Sequence, residues 1–270
     1  MKTWLLVLAL WLGVSGFTVA QASTICVGQV VYANNGNDLI GQVAAIFGNQ
    51  AEVRWLSVNG DAYTGQNNFW SLTDLSPEVQ CARGLCENTA VYGNNGNDLS
   101  GVISRIFDNG KAEVRWNQLN GALYTGNPTV WDIANLSSLS GCVNNICVGQ
   151  SVFGNNGNDL IGVVSQVYAN GKVLVSWSSV NGEAYTGAAT YWDATTLSVE
   201  VPSYNGVDRG DVVYGNNGNQ LIGTVLRVFA NGKAQVNWQS INGTAYTGAP
   251  TVWDVVNLQK SSYCSNGPCH

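Results

Sequence analysis

Residues 93–101 read GNNGNDLSG, and the same stretch returns as ANNGNDLIG at 33–41, GNNGNDLIG at 154–162 and GNNGNQLIG at 215–223. An aromatic residue precedes it each time (Tyr32, Tyr92, Phe153 and Tyr214), at spacings of 60, 61 and 61 residues. Behind it come a β-patterned stretch, an Asn/Gly turn, a Trp, an Asn-Gly, a Tyr-Thr-Gly and a second Trp. Self-similarity at a fixed period marks copies of one structural unit. The chain is therefore one unit written four times, at 26–81, 86–142, 147–203 and 208–260. A leader occupies 1–22 and a Cys-containing tail 261–270.

The second copy shows the local grammar. Ala90–Tyr92 reads as a strand, and the Asn/Gly loop after it suits turns and positive φ. Ser100–Phe107 is a second strand, and Asp108-Asn109-Gly110-Lys111 a hairpin turn. In the third strand Ala112, Val114 and Trp116 point one way while Glu113 and Arg115 point the other, the alternation of a half-buried strand. Asn120-Gly121 turns the chain into a fourth strand near Leu123-Tyr124, and Val130–Leu136 closes the unit. No segment has useful helical periodicity, so the expected class is all-β. Two architectures fit such short strands: four tandem small five-stranded barrels, each with its own core, or a four-bladed β-propeller closed around an axis. The private Trp, Val strand and hairpins of each copy favour the barrels.

Composition narrows the function. Charged residues make up 10% of the chain against about 25% in an average soluble domain, while 45% are hydrophobic, the reverse of a disordered signature. Eleven basic residues against 17 acidic give a net charge of −6, and no Lys/Arg cluster exists to neutralise phosphates, so nucleic acid is not an expected partner. The one His is the last residue, which removes most imidazole chemistry. Lys2, the apolar run Trp4–Val14 and the A-x-A site Ala20-Gln21-Ala22 read as a cleaved export signal, too short to span a bilayer. The expected location is secreted or periplasmic, with no transmembrane segment after cleavage.

From Gly101 the unit reads G-x-[VI]-x-x-[IV], then V-x-W, then a Tyr eight positions after the Trp. The pairs are Trp55/Tyr63, Trp116/Tyr124, Trp177/Tyr185 and Trp238/Tyr246, and a late Asp-Leu follows at Asp74-Leu75. This pattern resembles the Src-homology-3-like small barrels, and most closely the Mind-bomb-type barrel. The resemblance covers each repeat. It implies binding rather than catalysis, with cell-wall peptide, glycan or Pro-rich and basic peptides as the ligands of similar barrels. It also implies a groove between the first long loop and the hairpin loops, formed by the opening aromatics, the NNGND loops and the second Trp set.

Six of the seven Cys form C-x4-C pairs after a repeat: Cys81/Cys86, Cys142/Cys147 and Cys264/Cys269. With an export signal these read as disulfides; zinc would need its ligands closer together. Between copies three and four both Cys are missing together, at Ser203 and Asp208, which points to pairing within each C-x4-C. Cys26 is left without a partner.

Catalytic and metal chemistry is not expected. Asp38, Asp98 and Asp159 become Gln220 in copy four, and Asp132, Asp193 and Asp254 become Ser71 in copy one. A carboxylate pair, which a glycosidase requires, is present only in copies two and three. GNDL-x-G looks like one turn of a calcium-binding nonapeptide, but such sites need stacked turns; a loop capping its own backbone is the favoured reading. No cofactor is implied.

The aromatics carry the functional reading. Trp55, Trp116, Trp177 and Trp238 share a strand face with Val and are expected in the cores. Trp70, Trp131, Trp192 and Trp253 lie in late polar stretches, and plug or stacking platform are both open. The expected ligand site of the four copies is Tyr32, Asn35, Asp38 and Trp70; Tyr92, Asn95, Asp98 and Trp131; Phe153, Asn156, Asp159 and Trp192; and Tyr214, Asn217 and Trp253. Aromatic faces and amide side chains suit the apolar patches and hydroxyls of sugars. The expected function is multivalent binding of a polar polymer such as glycan or peptidoglycan; the alternative is a structural envelope or matrix protein without a small-molecule ligand. Non-reducing peptide mapping should return Cys81–Cys86, Cys142–Cys147 and Cys264–Cys269 with Cys26 free. Recovery of Cys26 joined to Cys81 would mean that each unit is clipped end to end instead.

Overall fold

The computed structural model describes residues 24–261, and within them every regular element is a strand or a single 3-10 turn. In the first copy the strands are β1 (Val30–Asn34), β2 (Asp38–Phe47), β3 (Gln50–Val58), β4 (Asp61–Ala62), β5 (Asn68–Ser71) and, after the 3-10 turn Leu72–Asp74, β6 (Ser76–Val79). The other three copies repeat this order. The strands run a little beyond their sequence bounds: the second strand of copy two is Asp98–Phe107 and the third Lys111–Leu119.

All pairing is antiparallel. β1 pairs with the first half of β2, from Val30↔Gln42 to Asn34↔Asp38. β2 pairs with β3 along its whole length, with register shifts at Ile40/Gly41 and Val43/Ala45. Such bulges bend a strand and increase its twist, which lets β2 belong to both ladders. Gly41 sits at the bend, where a Cβ would lie 2.7 Å from the Trp55 ring and 2.9 Å from the Arg54 carbonyl. β3 pairs with β5, and β1 with β6. The order is thus β6–β1–β2–β3–β5, with the 3-10 turn joining its two ends. That turn is capped by a side chain in the first two copies, where Thr73 N–H donates to Ser71 Oγ and Ala134 N–H to Asp132 Oδ1.

Each copy encloses its own core. In copy two Val91, Leu99, Ile103, Val114 and Trp116 form one cluster, and the equivalent residues do so in the other three. Trp55, Trp116, Trp177 and Trp238 are all buried, as their shared face with Val predicts.

Neighbouring copies also share strand pairing. Ser76 and Pro77 of β6 pair with Tyr32 and Val31 of their own copy, while Glu78 and Val79 pair with Phe107 and Ile106 of the next. The late strand of copy two divides in the same way between Tyr92 and Val91 behind it and Tyr168 and Val167 ahead, and that of copy three between Phe153 and Phe229. Among the described residues no ladder joins copy four to copy one.

A two-residue hairpin follows each shared strand. Cys81-Ala82 pairs with Leu85-Cys86 around Arg83-Gly84, whose φ values are +49° and +83°. The same hairpin recurs at 142–147 and at 203–208, with identical register. Disulfides close the first two, Cys81–Cys86 and Cys142–Cys147. The third holds its shape with Ser203 opposite Asp208, so the turn and ladder suffice to form it. Cys26 is exposed and unpaired. The expected Cys264–Cys269 bridge and the leader at 1–22 lie outside the described residues. No helix among the described residues is long and apolar enough to cross a membrane.

The second Asn-Gly turn docks on the following copy. A Cβ at Gly121 (φ +82°) would run into the Ala189 carbonyl oxygen, and one at Gly60 or Gly182 into that of Pro128 or Pro250. Gly243, with φ +78°, faces open space. Gly121→Ala and Gly243→Ala therefore share the cost of a positive φ, but only Gly121→Ala adds an overpacking cost of roughly 1–3 kcal/mol. Thermal unfolding should show the larger loss for Gly121→Ala; equal losses would mean that this contact contributes nothing.

Candidate functional site

The NNGND loop is held mainly by its own side chains. In copy two Gly96 N–H donates to Asn94 Oδ1 (3.0 Å) and Asn97 N–H to Asn95 Oδ1 (3.3 Å). Asn120, at φ +51° in the second Asn-Gly turn, accepts from Asp98 N–H through Oδ1 (2.8 Å) and donates from Nδ2 to Asn97 Oδ1 (3.1 Å). These bonds recur in every copy. They satisfy backbone donors that a Gly-rich loop would otherwise leave to water. Asn34–Asn37 and their equivalents in copies two and three stay exposed. Asp98 accepts from the Tyr92 hydroxyl and from Asn94 Nδ2, and Asp38 accepts likewise from Tyr32 and Asn34. Copy three has Phe153 and no hydroxyl, so Asp159 keeps the bond from Asn155 Nδ2 (2.9 Å).

The first three opening aromatics face the junctions between copies. Tyr32, Tyr92 and Phe153 are buried, each against the copy that follows. Tyr32 meets Phe107 with ring centroids 5.3 Å apart, Tyr92 meets Tyr168 at 5.3 Å and Tyr191 at 5.5 Å, and Phe153 meets Phe229 at 5.6 Å. The neighbouring repeat packs against their faces: Tyr32 and Tyr92 hold the loop Asp through a hydroxyl, and all three pack the junction. Tyr214 is half-buried, and among the described residues no further copy packs on it.

The second Trp set packs on the cores with part of each ring left open. Trp70, Trp131, Trp192 and Trp253 are half-buried and stand edge-on to the core Trp of their own copy, at 5.1–5.3 Å. Both indole N–H groups converge on one acceptor. Trp116 and Trp131 donate to Thr129 Oγ1 at 2.7 and 2.8 Å, and Thr190, Thr251 and, in copy one, Asn68 Oδ1 serve in the same place. Accepting two bonds leaves the Thr hydroxyl its own proton to donate.

In copy two a pocket of about 410 Å³ opens beside this pair. It is lined by Asn95, Asn97, Leu99, Trp116, Leu119, Tyr124, Thr129 and Trp131, with no charged group. Asn95 and Trp131 of the expected set line this pocket; Tyr92 and Asp98 do not. Tyr124 is one of the lining residues that sequence reasoning passed over as ligand contacts. The repeated Tyr-Thr-Gly was its signal, because Gly126 lies under the Tyr124 hydroxyl, where a Cβ would collide with it.

The late carboxylates hold lysines. Lys111 pairs with Asp132 at 3.7 Å, Lys172 with Asp193 at 2.9 Å and Lys233 with Asp254 at 2.8 Å. Among the described residues no three His, Cys, Asp or Glu side chains gather as metal ligands would. The chain matches none of the protein-family models and none of the curated proteins with which it was compared.

Junction burial perturbs the tyrosines. Burial, and next the bond to Asp38, push the Tyr32 hydroxyl up to about 12. Burial likewise raises Tyr92, with Asp98 adding to it, and Tyr168. Unfolded tyrosine titrates near pH 10. For an acid raised on folding, the linked stability is fully present below about pH 10 and is lost as pH climbs through about 12. Melting temperature should fall steeply above about pH 10 while the hairpin disulfides stay closed, with tyrosinate absorbance rising together with unfolding. Tyrosinate appearing in full while the fold persists would contradict this burial.

Proposed function

We propose that the chain is an exported, multivalent binding protein whose four repeats are small Src-homology-3-like barrels in a row, similar in pattern to the Mind-bomb type. Each repeat would offer one site to a neutral, polar polymer such as a glycan or peptidoglycan. The row of barrels is supported by the private core of each copy, by the strand order β6–β1–β2–β3–β5 whose ends meet at a 3-10 turn, and by junctions that run only between successive copies among the described residues. Export is supported by the two disulfides, which persist in oxidising compartments.

The observation that carries the binding reading is the uncharged pocket of copy two. Trp131 and Tyr124 offer apolar faces for C–H patches, while the Asn95 and Asn97 amides and the Thr129 hydroxyl offer groups that bond sugar hydroxyls. A strongly ionic ligand would find no partner there. Four such sites on one chain can bind a polymer about 10²–10⁴-fold more tightly than one site where geometry permits. Binding, not catalysis, is the role these groups support.

A purely structural role has one observation in its favour: the loop Asn side chains already cap their own turns. Co-sedimentation with purified peptidoglycan and insoluble polysaccharides, with a glycan array, separates the two. Replacing Tyr63, Tyr124, Tyr185 and Tyr246 by Ala should remove polymer binding and leave the cooperative melt in place. The set Trp70, Trp131, Trp192 and Trp253, changed to Phe, keeps most of the core packing and should weaken binding at least about tenfold, the scale of one lost contact of 1.4 kcal/mol. No binding by the wild-type chain, or full binding by both folded variants, would favour the structural role.

A further inference from the structure

The two ends of the repeat array carry halves of the same junction. At each internal junction an aromatic at the end of the second strand enters against the opening aromatic of the copy before it: Phe107 on Tyr32, Tyr168 on Tyr92, Phe229 on Phe153. All six rings are buried. Copy one has Phe47 at the entering position, and among the described residues no copy packs against it. Phe47 is 59% exposed, and Phe69, at the position of Val130 and Tyr191, is 58% exposed with its ring 5.9 Å away.

Copy four shows the matching receptor. Ile222 is 46% exposed, whereas its equivalents Ile40 and Ile161 are buried in the clusters with Phe107 and Phe229. Val212 is exposed, Tyr214 is half-buried, and together with Ile222 they line an open groove of about 350 Å³. The rim residue Lys260 is tied to Asp208 at 3.2 Å and Asp211 at 2.8 Å, so it presents no unpaired charge to an apolar partner. Gly243 lies open where Gly60, Gly121 and Gly182 each meet the next copy's carbonyl.

We propose that these faces dock on each other between molecules: copy four of one chain receives copy one of a second chain, with Phe47 entering against Tyr214 and Ile222. The occupant is a second copy of this chain because the three internal junctions already show what covers each face. The contact is heterologous, using different patches on the two partners. Chains therefore add head to tail, and growth stops only if the rotation closes a ring. An array of four sites becomes a longer array, independently of whether the pocket beside Trp131 binds a polymer.

Sedimentation velocity on the exported protein tests this. The wild-type mass should rise with concentration from micromolar to millimolar, past that of a dimer. Phe47→Ser removes one face and Ile222→Ser the other, both at exposed positions, and each variant should remain monomeric with an unchanged melt. An equimolar mixture of the two should form a heterodimer and nothing larger, since one intact face of each kind remains. Gly243→Ala, which adds a methyl at the docking turn besides the cost of its positive φ, should weaken wild-type association more than it lowers the melt. A wild-type chain that stays monomeric throughout would overturn the proposal, whether its faces are covered by its own terminal segments, by another protein or by nothing. Self-association of Ile222→Ser alone would overturn it as well, by showing a symmetric contact through Phe47.

Discussion

Copies one to three each lend part of their last strand to the copy that follows. Two residues of β6 complete the ladder of their own unit, and the next two open the ladder of its neighbour. A backbone ladder left open at that point would expose unpaired N–H and C=O groups at the edge of every unit. Sharing the strand removes the edge and fixes the relative register of two copies together. It also sets where the aromatics go, because Glu78↔Phe107 pairing holds the Phe107 ring over Tyr32. Magnitudes identify what holds the junction. Burying a residue of the size of Phe107 contributes about 1.5–3 kcal/mol. The Arg105–Glu78 ion pair at the same place is partly exposed, and such pairs contribute about 0–1 kcal/mol. Apolar burial and backbone pairing dominate, and the ion pair adds register.

This constraint bears on the candidate site. Once the opening aromatic is committed to the junction, the remaining aromatic surface of a copy is the second Trp with the Tyr of Tyr-Thr-Gly. The NNGND loop then acts as a rim whose amides are fixed by their own turn bonds. Rigid amides beside a half-open indole lose little freedom on meeting a ligand, which lowers the ordering cost of binding. The Asp of the loop serves the tyrosine behind it; in copies three and four, where the hydroxyl or the carboxylate is missing, the loop keeps the same backbone bonds.

Much of the unit was legible in the sequence because it rests on local rules. The period, the Asn-Gly hairpins and the Ala112/Val114/Trp116 face follow from turn chemistry and strand alternation, and the Cys81–Cys86 and Cys142–Cys147 bridges from the joint loss of both Cys at Ser203 and Asp208. The shared strand was not legible. Backbone pairing carries no side-chain signature, and Ser76-Pro77-Glu78-Val79 has the same alternation whether it pairs with one neighbour or two. The fate of Tyr32 was hidden for a related reason: a buried ring looks the same in sequence whether its own core or the next repeat buries it. The asymmetry of the ends was visible only in retrospect, as two Phe residues, Phe47 and Phe69, on a face that no copy among the described residues covers. The pocket beside Trp131 depends on how far an indole leans out of its core, which no pattern of residue types encodes.

Native-state amide hydrogen exchange, measured in dilute protein, tests the shared strand most directly. Asp108, Ala169 and Ala230 donate their amides to Pro77, Ser138 and Val199 of the preceding copy. Gly48 holds the equivalent position in copy one, where among the described residues no preceding strand accepts its amide. The account predicts protection of the three junction amides at the level of the core strands, with Gly48 exchanging orders of magnitude faster. Exchange of Asp108, Ala169 and Ala230 as fast as Gly48 would show that the copies are tethered side by side without a common ladder, and would contradict it.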